Sequence, residues 1–133
     1  MERYLDPYEE ALYAIFRFMF GLAFMFHGTQ KLFGWPGDAR AAELLSLRGL
    51  AGVIEVSGGA LVALGLWAGW AALLASGTMA VAYFLRHAPD GFWPIINRGE
   101  LAVLYCFAFL SIAARGSGRY SLERRFHGVV RNA

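Results

Sequence analysis

Cysteine is almost absent from this chain, with Cys106 standing alone. A lone cysteine rules out a disulfide scaffold, and it leaves no CxxC redox pair, zinc ribbon or haem-attachment motif. Charge is scarce too, at 17% of residues against the roughly one quarter usual in soluble domains. The net charge is only +2, and no lysine- or arginine-rich stripe runs through the body of the chain, which argues against nucleic acid as a partner. A basic leader is also missing. The segment from Met1 to Glu10 carries four acidic residues and one arginine, the reverse of a cleaved signal's n-region. Finally, the apolar segments lack the alternation of apolar and polar residues that membrane strands need.

Hydrophobic residues fill what remains, at 58% with 16% aromatic, and the mean hydropathy is +0.45. So short a soluble chain could not hide that much apolar surface, whereas a bilayer would solvate it. Apolar stretches at about 11–33, 47–67, 69–85 and 95–114 each approach the roughly 20 residues that cross ~30 Å of hydrocarbon. The expectation is an all-α fold, an integral membrane four-helix bundle forming one domain over 1–133. Gly34-Trp35-Pro36-Gly37 ends the first helix, and Asp38 to Leu47 has the composition of a short interfacial helix. Trp67-Ala68-Gly69-Trp70 makes a tight hairpin between the second and third helices, with tryptophans at a membrane interface. Pro89 to Pro94 forms the other turn, on the same side as the first loop. Small residues repeat at Ala68, Ala72, Ser76 and Ala80, and again at Gly52, Gly59 and Ala63, as helix packing in lipid requires.

Both termini then share a side, with Arg3, Arg115, Arg119, Arg124, Arg125 and Arg131. The loops on the other side hold Lys31, Arg40, Arg48, Arg86 and Arg98. The balance, with the arginine-dense tail, favours cytoplasmic termini. Leu122, Phe126, Val129 and Val130 recur at helical spacing among those arginines, so 120–133 reads as an amphipathic basic helix on anionic lipid.

Ionisable residues inside hydrocarbon either pair or line a site. Measured from the loop side, His27 lies ~9 Å deep, Glu55 ~12 Å and Glu100 ~8 Å, with Lys31 also in the first helix and Arg86, His87 and Arg98 at the rim. They converge in the half of the bundle facing the longer loops, where Glu55 has Lys31 or Arg48 as possible partners and Glu100 has Arg98, Arg86 or Arg17. One reading makes these residues ion pairs that fix helix register. The other makes His27, Lys31, Glu55 and Glu100 a pocket for a quinone headgroup, with donors for its carbonyls and a carboxylate to exchange protons. His27 and His87 alone carry no supporting pattern for haem, and no metal is expected. The lack of an internal repeat argues against a transporter.

Arg17 with Gly21 and His27-Gly28-Thr29-Gln30-Lys31-Leu32-Phe33-Gly34 resembles the first helix of the DoxX family. Leu50 to Gly59, Leu64-Gly65-Leu66, Gly99-Glu100 and Gly116 to Glu123 extend the resemblance over nearly the whole chain. It implies a four-helix protein of the prokaryotic inner membrane. The family's name comes from a subunit of a thiosulfate:quinone oxidoreductase. The resemblance therefore implies a quinone-facing or non-catalytic subunit of a membrane redox assembly, with protein partners in the bilayer. The alternative is a purely structural accessory subunit.

Overall fold

The computed structural model describes residues 2–130, with side chains over 4–126. The described residues contain helices and no strands. A helical turn at Glu2–Leu5 and a 3-10 turn at Asp6–Tyr8 lead into helix α1, Glu9–Phe33. At 1.5 Å per residue its 25 residues run for about 38 Å, more than the hydrocarbon thickness. It stops where Gly34 takes a left-handed φ of 74° and returns its amide to the Gln30 carbonyl.

Helix α2, Leu47–Leu64, begins on Ser46, whose hydroxyl accepts from the Gly49 amide at 3.0 Å. It ends in a Schellman turn, with the Gly65 amide on the Val62 carbonyl and the Leu66 amide on that of Leu61. The expected helix over 47–67 is thus cut short, because Gly65 at φ 71° reverses the chain before Trp67. Helix α3, Ala68–Ala82, gives way to a π-helical turn at Tyr83–His87 and a 3-10 turn at Ala88–Asp90. The interfacial helix expected over 38–47 does not form. The stretch expected as one helix over 95–114 is broken instead. A single turn at Pro94–Asn97 ends at Arg98, with φ 60°, and helix α4 spans Glu100–Arg115. Helix α5, Leu122–Val130, closes the described chain. Arg131 and the side chains of Arg3, Val129 and Val130, parts of the expected basic tail and terminal charge, lie outside the described residues.

Small residues decide which helices touch closely. A Cβ on Gly21 would lie 2.5 Å from the Ala63 nitrogen and 2.6 Å from the Gly59 carbonyl, so α1 and α2 meet backbone to backbone. Ala68, Ala71, Ala72, Ala75 and Ser76 of α3 are buried, and the Ser76 hydroxyl donates to the Cys106 carbonyl of α4 at 2.8 Å. Large rings close the remaining side. Phe24 of α1 stands 4.7 Å from Phe109 and 5.6 Å from Tyr105 of α4, centroid to centroid. Outward-facing Phe18, Met19, Val53, Leu74, Val81 and Leu104 are exposed, leaving an apolar belt around the bundle.

Three segments are long and apolar enough to cross a membrane: Asp6–Phe33, Leu47–Leu64 and Ala68–Asp90. The four-helix membrane bundle is therefore matched only in part, since α4 has 16 residues and covers about 24 Å. The break at Arg98 and Gly99 shortens it.

Candidate functional site

The site grows from the glycine seam. A Cβ on Gly28 would meet the Gly52 carbonyl and the Val56 nitrogen at 2.7 Å, and one on Gly52 would stand 3.2 Å from the Lys31 Cβ. With the two backbones this close, Lys31 near the end of α1 reaches across the seam. Its Nζ donates to Glu55 Oε1 in an ion pair. Glu55 is 1% exposed and Lys31 28%, so the carboxylate is enclosed while the ammonium faces outward. Withdrawing a carboxylate from water is costly unless a partner compensates it, and Lys31 is that partner. The other oxygen, Glu55 Oε2, is buried without a hydrogen-bond partner among the described residues.

His27 sits one turn before Lys31 on α1 and is half-buried. Its ring meets Tyr105 of α4 edge to face, with centroids 5.7 Å apart and planes at 88°. Tyr105 is itself buried. Lys31 and His27 thus lie in the last two turns of α1, where Lys31 meets Glu55 midway along α2 and His27 meets Tyr105 of α4. An enclosed carboxylate with one oxygen unpaired can accept a proton or a hydrogen bond. The Lys31 ammonium donates to it, and the His27 ring lies one turn from Lys31 along α1.

Glu100 does not join them. It is exposed in the first turn of α4 and makes no ion pair among the described residues. Arg48 is exposed, and Lys31 takes the place offered to it beside Glu55. Arg17 belongs to a separate polar node at the opposite end. It is 3% exposed, and its guanidinium donates to the carbonyls of Val62, Ala63 (2.9 Å) and Tyr120 (2.9 Å). The guanidinium thereby satisfies last-turn carbonyls of α2, which have no partner within the helix, and ties the turn after α4 to them.

Two participants carry little sequence signal. Tyr105 reads as one more aromatic in an apolar helix. Asn97 is buried, and it organises the second long loop by donating to the Gly91 carbonyl at 2.6 Å and to the Tyr83 hydroxyl at 3.2 Å. Its side-chain oxygen accepts from the Gly99 amide at 2.8 Å. An Asn two residues before a Gly was the available hint.

The family model DoxX matches residues 12–88, a span that includes His27, Lys31 and Glu55 and stops short of Glu100 and Tyr105. A protein of Haemophilus influenzae (strain ATCC 51907 / DSM 11121 / KW20 / Rd), named as uncharacterized, is 38% identical over 130 residues. That match covers 92% of this chain and 96% of the relative. No solved structure matches the chain.

Proposed function

The chain belongs to the DoxX family and is a multi-pass membrane protein; from that premise we propose that it is a membrane subunit of a quinone-linked redox assembly. One observation carries the reading: an enclosed carboxylate, Glu55, holds one oxygen on Lys31 and leaves the other without a hydrogen-bond partner among the described residues, while His27, one turn from Lys31, packs on Tyr105. Quinone reduction consumes protons and places charge on the carbonyl oxygens, so a quinone ring needs donors and a proton-exchanging group. Lys31 and His27 fill the first role and Glu55 the second. Tyr105 offers the ring an aromatic wall. Glu100, exposed at the loop-side rim, would at most act on a headgroup approaching from the interface. The centre that oxidises the substrate lies in a partner protein, and the assembly occupies the prokaryotic inner membrane with both termini in the cytoplasm.

A structural reading is favoured by a different observation. Gly28 and Gly52 close the seam beside the pair so tightly that the pair can act as a register pin between α1 and α2. Quinone-dependent oxygen uptake by membrane vesicles, from cells carrying either the native chain or Glu55→Gln, separates the two. Loss of electron flow at an unchanged level of folded protein supports the site. Unchanged flow with a lowered melting temperature makes the pair structural.

A further inference from the structure

A second feature lies apart from the Lys31–Glu55 pair. Between α3 and α4, in the loop-side half, a groove of about 400 Å3 is walled by Met79, Phe84, Trp93, Val103, Cys106 and Phe107. Its walls are apolar, and its size falls in the range of small-molecule sites. The π-helical turn at Tyr83–His87 and the loop at 91–94 form its loop-side end.

That end is built around Asn97. Its backbone carbonyl lies 3.2 Å from the His87 Nδ1, and its side chain bonds Gly91, Gly99 and Tyr83. Tyr83, which also lines the groove, donates to the Phe92 carbonyl. Each partner has a charged neighbour in sequence. Arg86 precedes His87, Asp90 precedes Gly91, Arg98 follows Asn97 and Glu100 follows Gly99. Two arginines and two carboxylates thus each lie one residue along the chain from a member of this hub, which closes the loop-side end of the groove. All four are exposed, and none forms an ion pair among the described residues.

We propose that this groove holds one acyl chain of a zwitterionic bilayer phospholipid, whose phosphate and ammonium rest on the charges around Asn97. The phosphate takes Arg86 and Arg98, and the ammonium takes Asp90 and Glu100. A headgroup with only negative charge would satisfy the arginines and meet the carboxylates with repulsion. This inference stands on its own residues and does not depend on a quinone at Glu55.

Cys106 gives the test, because it lines the groove and is the chain's single cysteine. The full chain is purified in mild detergent, and its bound phospholipid is extracted and quantified by mass spectrometry. The reaction of Cys106 with N-ethylmaleimide is then timed before and after exhaustive delipidation. Phosphatidylethanolamine should co-purify at close to one per chain. It should also slow labelling about tenfold relative to delipidated protein, because the rate follows the unoccupied fraction. Adding it back should restore protection, whereas phosphatidylglycerol should not. Val103→Trp, which fills the groove, should abolish retention. Arg98→Gln, at an exposed rim position, should weaken retention in a chain that folds normally. Equal labelling rates with and without lipid, equal protection by phosphatidylglycerol, or protection by a short-chain quinone alone would each overturn the proposal.

Discussion

Two glycine-to-alanine changes, one inside the α1–α2 seam and one outside it, should shift stability in opposite directions. At Gly21 the added methyl carbon would stand 2.5 Å from the Ala63 nitrogen, 2.6 Å from the Gly59 carbonyl and 2.9 Å from the Ala63 Cα. All three are backbone atoms, so no side chain can swing aside. Relief requires the helices to part by about 1 Å, up to the ~3.5 Å of ordinary contact. A gap of that size forfeits about a quarter to a half of each contact's attraction along the seam, in addition to roughly 1–3 kcal/mol for overpacking. Gly21→Ala should therefore lower stability by about 2–3 kcal/mol. Gly77 on α3 has nothing within 4 Å of its added methyl, so Gly77→Ala keeps every contact and gains about 0.5–1 kcal/mol from reduced backbone freedom. Equilibrium unfolding in mixed micelles, followed by tryptophan fluorescence and circular dichroism, measures both. If Gly21→Ala falls within about 0.5 kcal/mol of Gly77→Ala, the helices do not meet backbone to backbone and the reasoning fails.

Lys31→Met leaves Glu55 enclosed without its partner and should lower stability by about 3 kcal/mol, while adding Glu55→Leu should recover most of that loss. Additive losses in the same unfolding assay would contradict the pairing. Arg17→Met removes three carbonyl contacts worth roughly 0.6 kcal/mol each inside a bilayer, about 2 kcal/mol together. Because one of them holds Tyr120, trypsin should cleave at Arg119 and Arg124 faster in this variant, and an unchanged cleavage rate would refute the tie. If the termini are cytoplasmic, as proposed, alkaline phosphatase fused after Ala133 should be inactive in cells, and high activity would reverse the topology.

The apolar runs and their glycine stops were legible because hydrophobicity and left-handed turns are local properties. Gly34 and Gly65 each end a helix. The end of α2 was misplaced because Leu66 and Trp67 are as apolar as the helix before them, so only the backbone reversal at Gly65 marks it. Depth from the same membrane face narrowed the partners of Glu55 to Lys31 and Arg48, and only the close α1–α2 seam selects Lys31. The depth of Glu100 was overestimated through the same arithmetic. The depth count assumed one helix starting at 95, whereas Asn97, Arg98 and Gly99 make a break. Glu100 consequently opens a new helix, where the amide-rich N-terminus favours a carboxylate and water reaches it. Arg17 acts on backbone carbonyls 45, 46 and 103 residues away, and carbonyls leave no trace in a list of side chains. The π-helical turn at Tyr83–His87 likewise has no compositional mark.

The most direct test of the central claim is equilibrium binding of a short-chain ubiquinone to the purified full chain in nanodiscs, native against Glu55→Gln. If Glu55 and Lys31 face a quinone ring, the native chain binds. Glu55→Gln then binds at least about tenfold more weakly, close to 1.4 kcal/mol, with its unfolding midpoint unchanged. Equal affinity in the two proteins, or no binding by the native chain, would contradict the account and leave the pair as a pin between two helices.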